Sequence, residues 1–540
     1  MCGIFGSINV EQKNFEEDVL KSIYHRGPDS KGYLKDGRFS IGMTRLSIVD
    51  VENGDQPITN DKGDIFLVCN GEIYNSPEIR NELKDKVTFK TNSDVECILK
   101  LYELYSFDCV KKLRGMFSFA IYDANKSLIF IARDRLGIKP LYYYRDSQKF
   151  IFGSEIKAIL ECKAVVPTSN TKKMYPHNYF SMELQTHVNE VSEMEPGTFS
   201  VIKYDGEISF KNTKYWNFNF KENNETENEV IEKLDRSLDE SSFIHTRSDV
   251  PIGLMLSGGV DSNIVGYYFK KHHKKKFNSF TFGNPEKGMN EFEATDQTSK
   301  EVFDSNQNNV YLNFDDIHST IPKVMRSLEV SEPRIFESSL ATYLLLNEVK
   351  KKNKVIMCGE GADEIFGGYP GFFGEGSNDN LASEYKRHYH GGLYRLQLKR
   401  LDKISMAHSI EARVPLLDHI FFEYAANINI RLKNRNNTLK YILRKMSEKY
   451  LPPNIAWRPK EQFTVGTGLS KFMSDWLSSI SFKSINSLPL KNLPLQKENI
   501  WNQSHSPEIF LKYNSVVANL FYFTFIKRKN LESIEDIFRN

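Results

Sequence analysis

The chain has 540 residues, a net charge of +2 and 40% hydrophobic residues, enough for two to four domains with large cores. This near-neutral charge excludes a dedicated binder of nucleic acid or of charged surfaces, so we expect no nucleic-acid partner. The six cysteines include no CxxC pair, which argues against a zinc or disulfide framework. With no signal peptide predicted, we expect a cytoplasmic protein. The apolar run 516–526 is too short to cross a membrane and predicts a buried helix.

Residues 2–10 predict a strand that begins at Cys2. If Met1 is removed, the Cys2 thiol lies beside its own α-amine. That amine titrates at a pKa of roughly 8 and can act as general base for the thiol. The opening therefore predicts an N-terminal nucleophile, with an incidental cysteine as the alternative.

Four polar residues could complete a glutaminase site around such a nucleophile. Asn70 and the N–H of Gly71 could stabilise an oxyanion, although Asn-Gly is also a strong turn signal. Arg45 is suited to the α-carboxylate of glutamine, and Asp94 to its α-ammonium group.

The first half of the chain resembles the glutaminase domain of class II glutamine amidotransferases. The resemblance rests on residues 1–6, 26–29, 45–50, 70–75, 94, 115–120 and 133–143. It implies an α+β fold of the N-terminal-nucleophile type, a four-layer αββα sandwich, over residues 2–216. A polar linker is expected at 217–229, followed by a second domain at 230–540. Residues 162–195 form a polar insertion with no functional interpretation.

The second half begins with an apolar run, 250–256, that stops at a Ser-Gly-Gly turn before a helix-like segment. A strand feeding a Gly-rich turn and a helix start creates an anion site. The predicted phosphate loop consists of Ser257, Gly258, Gly259, Asp261 and Ser262. Asp261 would be a Mg²⁺ ligand; the alternative is a simple turn with an acidic helix cap. The loop resembles the pyrophosphate-binding motif of the N-type ATP pyrophosphatases.

Two further strand-like runs, 277–283 and 354–358, also end in glycine, and alternation with helical stretches predicts an α/β doubly wound parallel sheet. The second run leads to Glu360, Asp363 and Glu364. Acids this close together need a cation, so Asp261 and Asp363 could share Mg²⁺ with phosphates. Glu360 could bind or deprotonate ammonia. An acidic helix N-terminus is the alternative.

Basic residues that could bind an anion occur later in the chain. Arg413 and Lys460 are suited to phosphate oxygens or a substrate carboxylate. His408 is expected to be a packed residue, because no second His or Cys stands at metal-ligand spacing.

Taken in order from residue 2 to about 463, these segments resemble the glutamine-hydrolysing asparagine synthetases. The resemblance implies that L-glutamine is hydrolysed at Cys2, that ammonia crosses an internal tunnel, and that MgATP adenylates L-aspartate before ammonia displaces AMP. A homodimer is compatible with it. The implied glutamine-binding residues are Arg45, Leu46, Ser47, Ile48, Val49, Asn70, Gly71, Glu72 and Asp94. The implied ATP-binding residues add Leu256, Phe282, Cys358, Gly359 and Lys460 to the phosphate loop, with Glu360 essential for the adenylate step.

Two positions depart from that family. Cys358 stands where the family usually has Ser, and Glu337 stands where it carries Arg, for which Arg334 is a candidate substitute. The alternatives are an amidotransferase acting on another carboxylate and a catalytically inactive glutamine or nucleotide sensor. Intact Cys2, Asn70 and Asp261 argue against the sensor.

Overall fold

The computed structural model of the protein describes residues 2–170, 184–283, 291–311, 316–369, 385, 388–459, 469–490 and 507–539. Lys460, one of the predicted ATP-binding residues, lies outside the described residues.

Two antiparallel sheets of six strands each make up the first half of the chain, with strand orders β10-β8-β9-β1-β3-β2 and β12-β11-β7-β6-β5-β4. Hydrophobic residues alternate or run continuously along these segments, as buried strands require. The strands are β1 Cys2–Ile8, β2 Ser30–Asp36, β3 Phe39–Arg45, β4 Ile58–Thr59, β5 Ile65–Ile73, β6 Gly115–Asp123, β7 Leu128–Arg133, β8 Tyr142–Arg145, β9 Phe150–Gly153, β10 Ser192–Glu193, β11 Thr198–Tyr204 and β12 Ile208–Lys214.

The two sheets pack face to face, with β1 and β3 against β5 and β6. Ile4, Met43, Val68 and Ile131 belong to the apolar cluster between them. Helices Phe15–Ser22 and Ile156–Leu160 cover the first sheet, and helix Glu96–Tyr105, with its neighbour Ser76–Leu83, covers the second. The four-layer αββα sandwich is therefore confirmed.

A five-stranded parallel sheet forms the core of the second half, in the order β15-β14-β13-β16-β17. Its strands are β13 Ile252–Met255, β14 Asn278–Gly283, β15 Asn306–Tyr311, β16 Val355–Met357 and β17 Glu411–Arg413. The order reverses at β13, so β13 and β16 diverge at the switch point of a doubly wound sheet. The α/β prediction is confirmed, and the phosphate loop and the acidic loop follow these two adjacent strands.

Helices fill the rest of the second half. The first, Glu227–His245, begins inside the predicted linker because Thr226 and Glu229 form a reciprocal capping box there. The other helices are Val260–His272, Phe292–Thr298, Ile317–Leu328, Pro333–Val349, Ala362–Phe366, Lys399–Met406, His419–Ala426, Ile430–Lys433, Tyr441–Ser447, Pro453–Ala456, Leu469–Ser479, Phe482–Ser487, Pro507–Phe521 and Asp536–Arg539. Short 3₁₀ or π segments occur at Tyr24–Arg26, Ser106–Lys112, Ser299–Phe303, His388–Leu398, Pro415–Leu417 and Tyr522–Ile526.

The apolar run near the end of the chain is helical and largely buried, as predicted. Among the described residues, no helix combines the length and the apolar character needed to cross a bilayer. All six cysteines are buried and free, which agrees with the absence of a disulfide pattern in the sequence.

Buried ion pairs join the two halves. Arg26 pairs with Glu155 at 3.0 Å and with Asp402 of the second half at 2.8 Å, and all three side chains are almost completely buried. Glu329 of the second half accepts the backbone N–H groups of Ile156 and Lys157, each at 2.8 Å, at the start of helix Ile156–Leu160. Because removing one member would leave a buried charge unpaired, these contacts fix the relative position of the halves.

Candidate active sites

Cys2 begins strand β1 and is 5% exposed. Its backbone nitrogen donates to Oδ1 of Asn70 at 3.0 Å, and its carbonyl oxygen accepts from Nε of Arg26 at 3.1 Å. Burial raises the pKa of the Cys2 thiol, and a backbone hydrogen bond from Leu46 and the nearby chain terminus oppose that rise. The resting sulfur is therefore a protonated thiol that needs a base.

Asn70 and Gly71 lie inside strand β5, so the interpretation of Asn-Gly as a turn is wrong. Strand pairing with β6 continues through both residues, and a Cβ on Gly71 would come within 2.1 Å of the Met116 carbonyl oxygen. Only glycine fits this close approach. The Asn70 amide is completely buried, and its Nδ2 has no hydrogen-bond partner within the described part of the chain. A buried unpaired donor beside a thiol is suited to a developing oxyanion.

Arg45 lies at the end of strand β3, directly opposite Cys2 in the strand register. Its guanidinium donates to the carbonyl oxygens of Val49, Asp50 and Val51 at 2.7 to 3.2 Å and to Asp55 at 3.0 Å. Arg45 therefore shapes the loop that follows it.

The other predicted glutamine-binding residues of this segment follow in the same loop. The Ser47 N–H donates to Asp29 at 2.8 Å, and the Ile48 carbonyl accepts from Asp249 N at 3.0 Å. The loop thus brings Leu46, Ser47, Ile48 and Val49 together beside Cys2, near the second half of the chain.

Asp94 and Glu72 complete the group of predicted glutamine-site residues. Asp94 Oδ2 accepts the Ile73 N–H at 2.5 Å, so it lies beside strand β5. Burial raises the pKa of Asp94 to about 6, against the backbone hydrogen bond from Ile73, which lowers it. Burial, followed by the charge of Glu411, raises the pKa of Glu72 well above its ordinary value. Both carboxyls would gain from a cationic ligand group.

The phosphate loop turns sharply after β13. The Ser257 N–H donates to Ser262 Oγ at 2.9 Å, and the Asn263 amide donates to the carbonyls of Ser257 and Gly259 at 2.8 and 2.7 Å. These bonds occupy the carbonyls inside the turn. Helix Val260–His272 begins directly after it, with its dipole favouring an anion at the loop.

Close backbone contacts surround this loop. A Cβ on Gly359 would come within 2.7 Å of the Asp261 carbonyl carbon, so the loops after β13 and β16 touch. A Cβ on Gly258 would come within 1.8 Å of Arg458 Nη1, which places a guanidinium against the glycines.

The predicted adenosine-side residues surround the ends of β13, β14 and β16. The Leu256 N–H donates to the Phe280 carbonyl at 2.9 Å, and Phe282 is 8% exposed at the end of β14. Both the N–H and the thiol of Cys358 donate to the Arg413 carbonyl, at 3.0 and 3.3 Å. The thiol is thus engaged in holding the strand end.

Asp261 and Asp363, the predicted metal ligands, are brought together around one cation. The Lys440 ammonium contacts both carboxylates and is 3% exposed. Asp261 Oδ1 is buried without a hydrogen-bond partner in the described structure. Two carboxylates with a free oxygen form a donor set that suits Mg²⁺, so the residues present fit that ion. No group of three or more candidate metal-ligating side chains occurs among the described residues.

Glu360 pairs with Arg400, whose Nη2 donates to both carboxylate oxygens at 3.1 Å. Glu364 is buried and accepts from Tyr369; burial, with Asp363 and Glu360 nearby, raises the pKa of Glu364 to about 7. The expected cations are therefore present beside two of the three acids, Arg400 at Glu360 and Lys440 at Asp363, while Glu364 accepts from a tyrosine hydroxyl.

One helix, Lys399–Met406, contacts both candidate sites. Asp402 pairs with Arg26, which holds the Cys2 carbonyl oxygen, and Arg400 pairs with Glu360. The helix therefore links the thiol environment to the acidic loop through two side chains of the same turn, Arg400 and Asp402.

The prediction that Arg413 faces phosphate or a substrate carboxylate is wrong. Arg413 is completely buried, and it pairs with Glu411 at 2.6 Å and with Glu72 of the first half at 3.3 Å. It also donates to the carbonyls of His245 and Arg247 at 2.7 and 2.6 Å. Its charge stabilises the contact between the two halves.

Sequence reasoning overlooked Lys440, Arg400, Arg26 and Arg458 as site residues. Arg26 stands in one of the segments that carry the resemblance but received no role there. Arg400 lies in a helix, and Lys440 directly before one, far from their partners in sequence. Only the crowding of acids in the loop after β16 signalled that cations were needed.

Two other expectations concern single residues. His408 is 6% exposed with its ring 4.2 Å from Tyr343, and burial lowers the pKa of His408 to about 3, so the packed interpretation is confirmed. Glu337 is completely buried and accepts from the Ser470 hydroxyl. Arg334 lies in the first turn of helix Pro333–Val349, and its side chain lies outside the described structure.

The fold defines a two-domain amidotransferase, with an N-terminal-nucleophile sandwich joined to a doubly wound α/β domain. Family models agree: one for a glutamine amidotransferase domain matches residues 1–216, and one for asparagine synthase matches residues 233–393 and 376–520. The chain belongs to the family of glutamine-hydrolysing asparagine synthetases, which are ligase-type enzymes.

Three relatives support this membership. Asparagine synthetase B of Escherichia coli is 31% identical, covering 96% of this chain and 91% of its own length. Asparagine synthetase 1 of Bacillus subtilis is 30% identical, covering 89% and 90%. A probable asparagine synthetase of Schizosaccharomyces pombe is 32% identical, covering 94% of each chain.

Proposed function

We propose that this protein makes L-asparagine from L-aspartate, L-glutamine and ATP. Glutamine and water give glutamate and ammonia at the first site. Aspartate and ATP give aspartyl-adenylate and pyrophosphate at the second, and ammonia then displaces AMP. The observation that carries the proposal is that one helix, Lys399–Met406, contacts both the Cys2 environment and Glu360.

In the first half-reaction the Cys2 thiol attacks the side-chain carbonyl of glutamine. Its raised pKa makes proton removal the first requirement, and the α-amine exposed by loss of Met1 is the nearest base. The free Nδ2 of Asn70, with the Gly71 N–H, stabilises the oxyanion. Arg45 with residues 46–49 holds the α-carboxylate, and Asp94 with Glu72 receives the α-ammonium group.

In the second half-reaction ATP lies across the ends of β13 and β16. Leu256, Phe282, Cys358 and Gly359 border the adenosine, while the phosphate loop with Arg458 binds the phosphates. Lys460 is assigned to the phosphates by the same resemblance. The sharp Ser257–Ser262 turn aims backbone N–H groups and a helix start at the anion.

Asp261 and Asp363 would hold Mg²⁺, which offsets phosphate charge when bound. Lys440 lies between the same carboxylates and keeps them from repelling each other. Glu360 would accept a proton from the arriving ammonium or hold the site ready for adenylation.

We extend the proposal to the organisation of the chain. Residues 2–216 form the glutaminase domain, 217–229 connect it, and 230–540 form the synthetase domain. The protein works in the cytoplasm as a homodimer, with small molecules rather than nucleic acid or membrane as partners.

Product analysis tests the proposal. The protein is incubated with glutamine, aspartate and MgATP, and glutamate, asparagine, AMP and pyrophosphate are quantified. We expect asparagine, AMP and pyrophosphate in equal amounts. A panel of other carboxylates serves as control, because pyrophosphate release with one of them and not with aspartate would identify a different acceptor.

A further inference from the structure

Asp50 is the only residue of the loop 46–51 with a left-handed backbone, φ 52°, an uncommon conformation for a residue other than glycine. It is 8% exposed and directly follows the segment assigned to glutamine binding, residues 45–49. Such a conformation persists only where surrounding contacts determine it, and it often marks a functional site.

The contacts of Asp50 reach two residues assigned to glutamine recognition. Its carbonyl oxygen accepts from Arg45 Nη2 at 2.7 Å and from the Gly54 N–H at 2.9 Å. Its carboxylate accepts the Asn92 N–H at 2.8 Å, just before Asp94 in the chain. One residue thus ties the guanidinium of Arg45 to the turn that carries the Asp94 carboxylate.

The second domain fixes the backbone of Asp50 from outside. The Asp50 N–H donates to Asp249 Oδ2 at 2.7 Å, and the Asp249 N–H donates to the Ile48 carbonyl at 3.0 Å. Asp249 lies three residues before the start of strand β13, which leads to the phosphate loop. The glutamine-binding loop is therefore bridged at two atoms by the synthetase domain.

Strand β16, which pairs with β13, is preceded by a residue that makes a similar contact to the first domain. Lys354, directly before β16, pairs with Asp29 at 2.8 Å, and the same carboxylate oxygen accepts the Ser47 N–H at 2.8 Å. Ile252 and Val355 are partners in the sheet. The N-terminal ends of two paired strands thus hold opposite ends of residues 47–50.

We propose that Asp50 is a positioning residue for glutamine recognition, setting Arg45 and Asp94 at the spacing of the α-carboxylate and α-ammonium groups, and that Asp249 of the synthetase domain holds Asp50 in place. This inference rests on the proposed glutaminase activity. Neither side chain touches glutamine; each acts through the residues that do.

Kinetics of glutamate formation test the first step. Asp50→Ala removes the hydrogen bond to Asn92 and strains the left-handed backbone. We expect KM for glutamine to rise about tenfold, because one charge-assisted hydrogen bond is lost, while kcat stays within about twofold of the unaltered value. Asp50→Asn keeps an acceptor and tolerates the conformation, so it restores KM. Asp50→Gly keeps the backbone but not the acceptor, and should resemble Asp50→Ala.

Asp249→Ala tests the second step, with Asp249→Asn as the rescue because its amide oxygen still accepts. Glu348→Ala is the matched control, since Glu348 is an exposed helical acid on the same domain whose ion pair in the described structure is with the surface residue Lys351. We expect Asp249→Ala to raise KM for glutamine severalfold. Equal losses of glutamine-dependent and ammonia-dependent asparagine formation would mean a general structural defect and would overturn the inference.

Hydrogen–deuterium exchange separates this inference from the proposed function, because it needs no activity. Peptides covering residues 46–55 should exchange faster in Asp249→Ala and in Asp50→Ala than in the unaltered protein and the Glu348→Ala control. Unchanged exchange in those peptides overturns the positioning role. Faster exchange in a protein that forms no glutamate counts against the glutaminase proposal alone.

Discussion

Nη2 of Arg400 lies 3.1 Å from each carboxylate oxygen of Glu360. The guanidinium orients this carboxylate, although two other acids, Asp363 and Glu364, lie in the same loop. Arg400 belongs to helix Lys399–Met406, which also contacts Arg26 through Asp402. The orientation of Glu360 therefore depends on the domain interface. Loss of the Glu360 charge should therefore affect the synthetase site first.

Glu360→Gln should abolish asparagine formation with either nitrogen source while glutamate formation at Cys2 continues. Loss of a general base typically lowers a rate about 10²–10⁴-fold, and the amide cannot form the ion pair with Arg400. Asparagine and pyrophosphate are measured together. If pyrophosphate release persists without asparagine, Glu360 acts in the reaction of ammonia. If both are lost, Glu360 is needed to form the adenylate. Near-normal asparagine synthesis would mean that the acidic loop has only a structural role at the start of a helix.

Cys2→Ala should abolish glutamine-dependent synthesis and leave ammonia-dependent synthesis, because the thiol acts only in ammonia release. A tag retained ahead of Cys2 should have the same effect, since it removes the free α-amine while leaving the thiol. Glutamate release and asparagine formation are the measurements, with a cleavable tag as the control. Glutamine-dependent synthesis by Cys2→Ala would disprove the nucleophile assignment.

Local signals predict the parallel sheet of the second half, whereas the αββα sandwich follows from the family resemblance. Apolar runs ending in glycine marked β13 and β16, and their parallel pairing brings Asp261 and Asp363 together at one edge of a sheet. The alternative interpretation of Asn70-Gly71 as a turn is wrong because strand pairing with β6 outweighs local turn propensity. Lys440 and Arg400 could not be found, since each reaches its acid through tertiary packing alone.

Arg413 shows the converse case, in which the sequence suggests a ligand-binding role that the tertiary packing contradicts. Its charge suggested an anionic ligand, but a cation serves equally well between two buried carboxylates, and only the packing of the two halves decides. Asp249 likewise gave no signal, because its partner is the backbone of a loop about 200 residues away in sequence.

Lys440→Met should destabilise the protein in the absence of nucleotide, because it leaves two adjacent carboxylates without their buried cation. Breaking such a pair costs about 3–5 kcal/mol. We expect a lower Tm that MgATP raises more than in the unaltered protein, since Mg²⁺ can replace the lost charge. Thermal unfolding with and without MgATP is the measurement. Lys445→Met, which changes an exposed lysine, is the control, and equal Tm values in the two variants would contradict the role of Lys440.

Asp261→Asn should suppress pyrophosphate release at every accessible Mg²⁺ concentration while glutamate formation stays largely intact. The carboxylate acts mainly through the metal, and an amide is a weaker Mg²⁺ ligand. Pyrophosphate release across a Mg²⁺ titration is the measurement. Release at the unaltered rate would show that the metal is held elsewhere.

Glutamate formation should fall on acidification in a way that reports Asp94. Burial raises the pKa of Asp94 to about 6, so the carboxyl is charged above that pH and neutral below it. Only the charged form attracts the α-ammonium group of glutamine, so kcat/KM for glutamine should decline as the pH falls through about 6. The α-amine of Cys2, with a pKa of roughly 8, adds a second acid limb at higher pH, which Asp94→Asn retains. Asp94→Asn should have a low kcat/KM and should lack only the limb near pH 6. If Asp94→Asn still shows that limb, the titration belongs to another group.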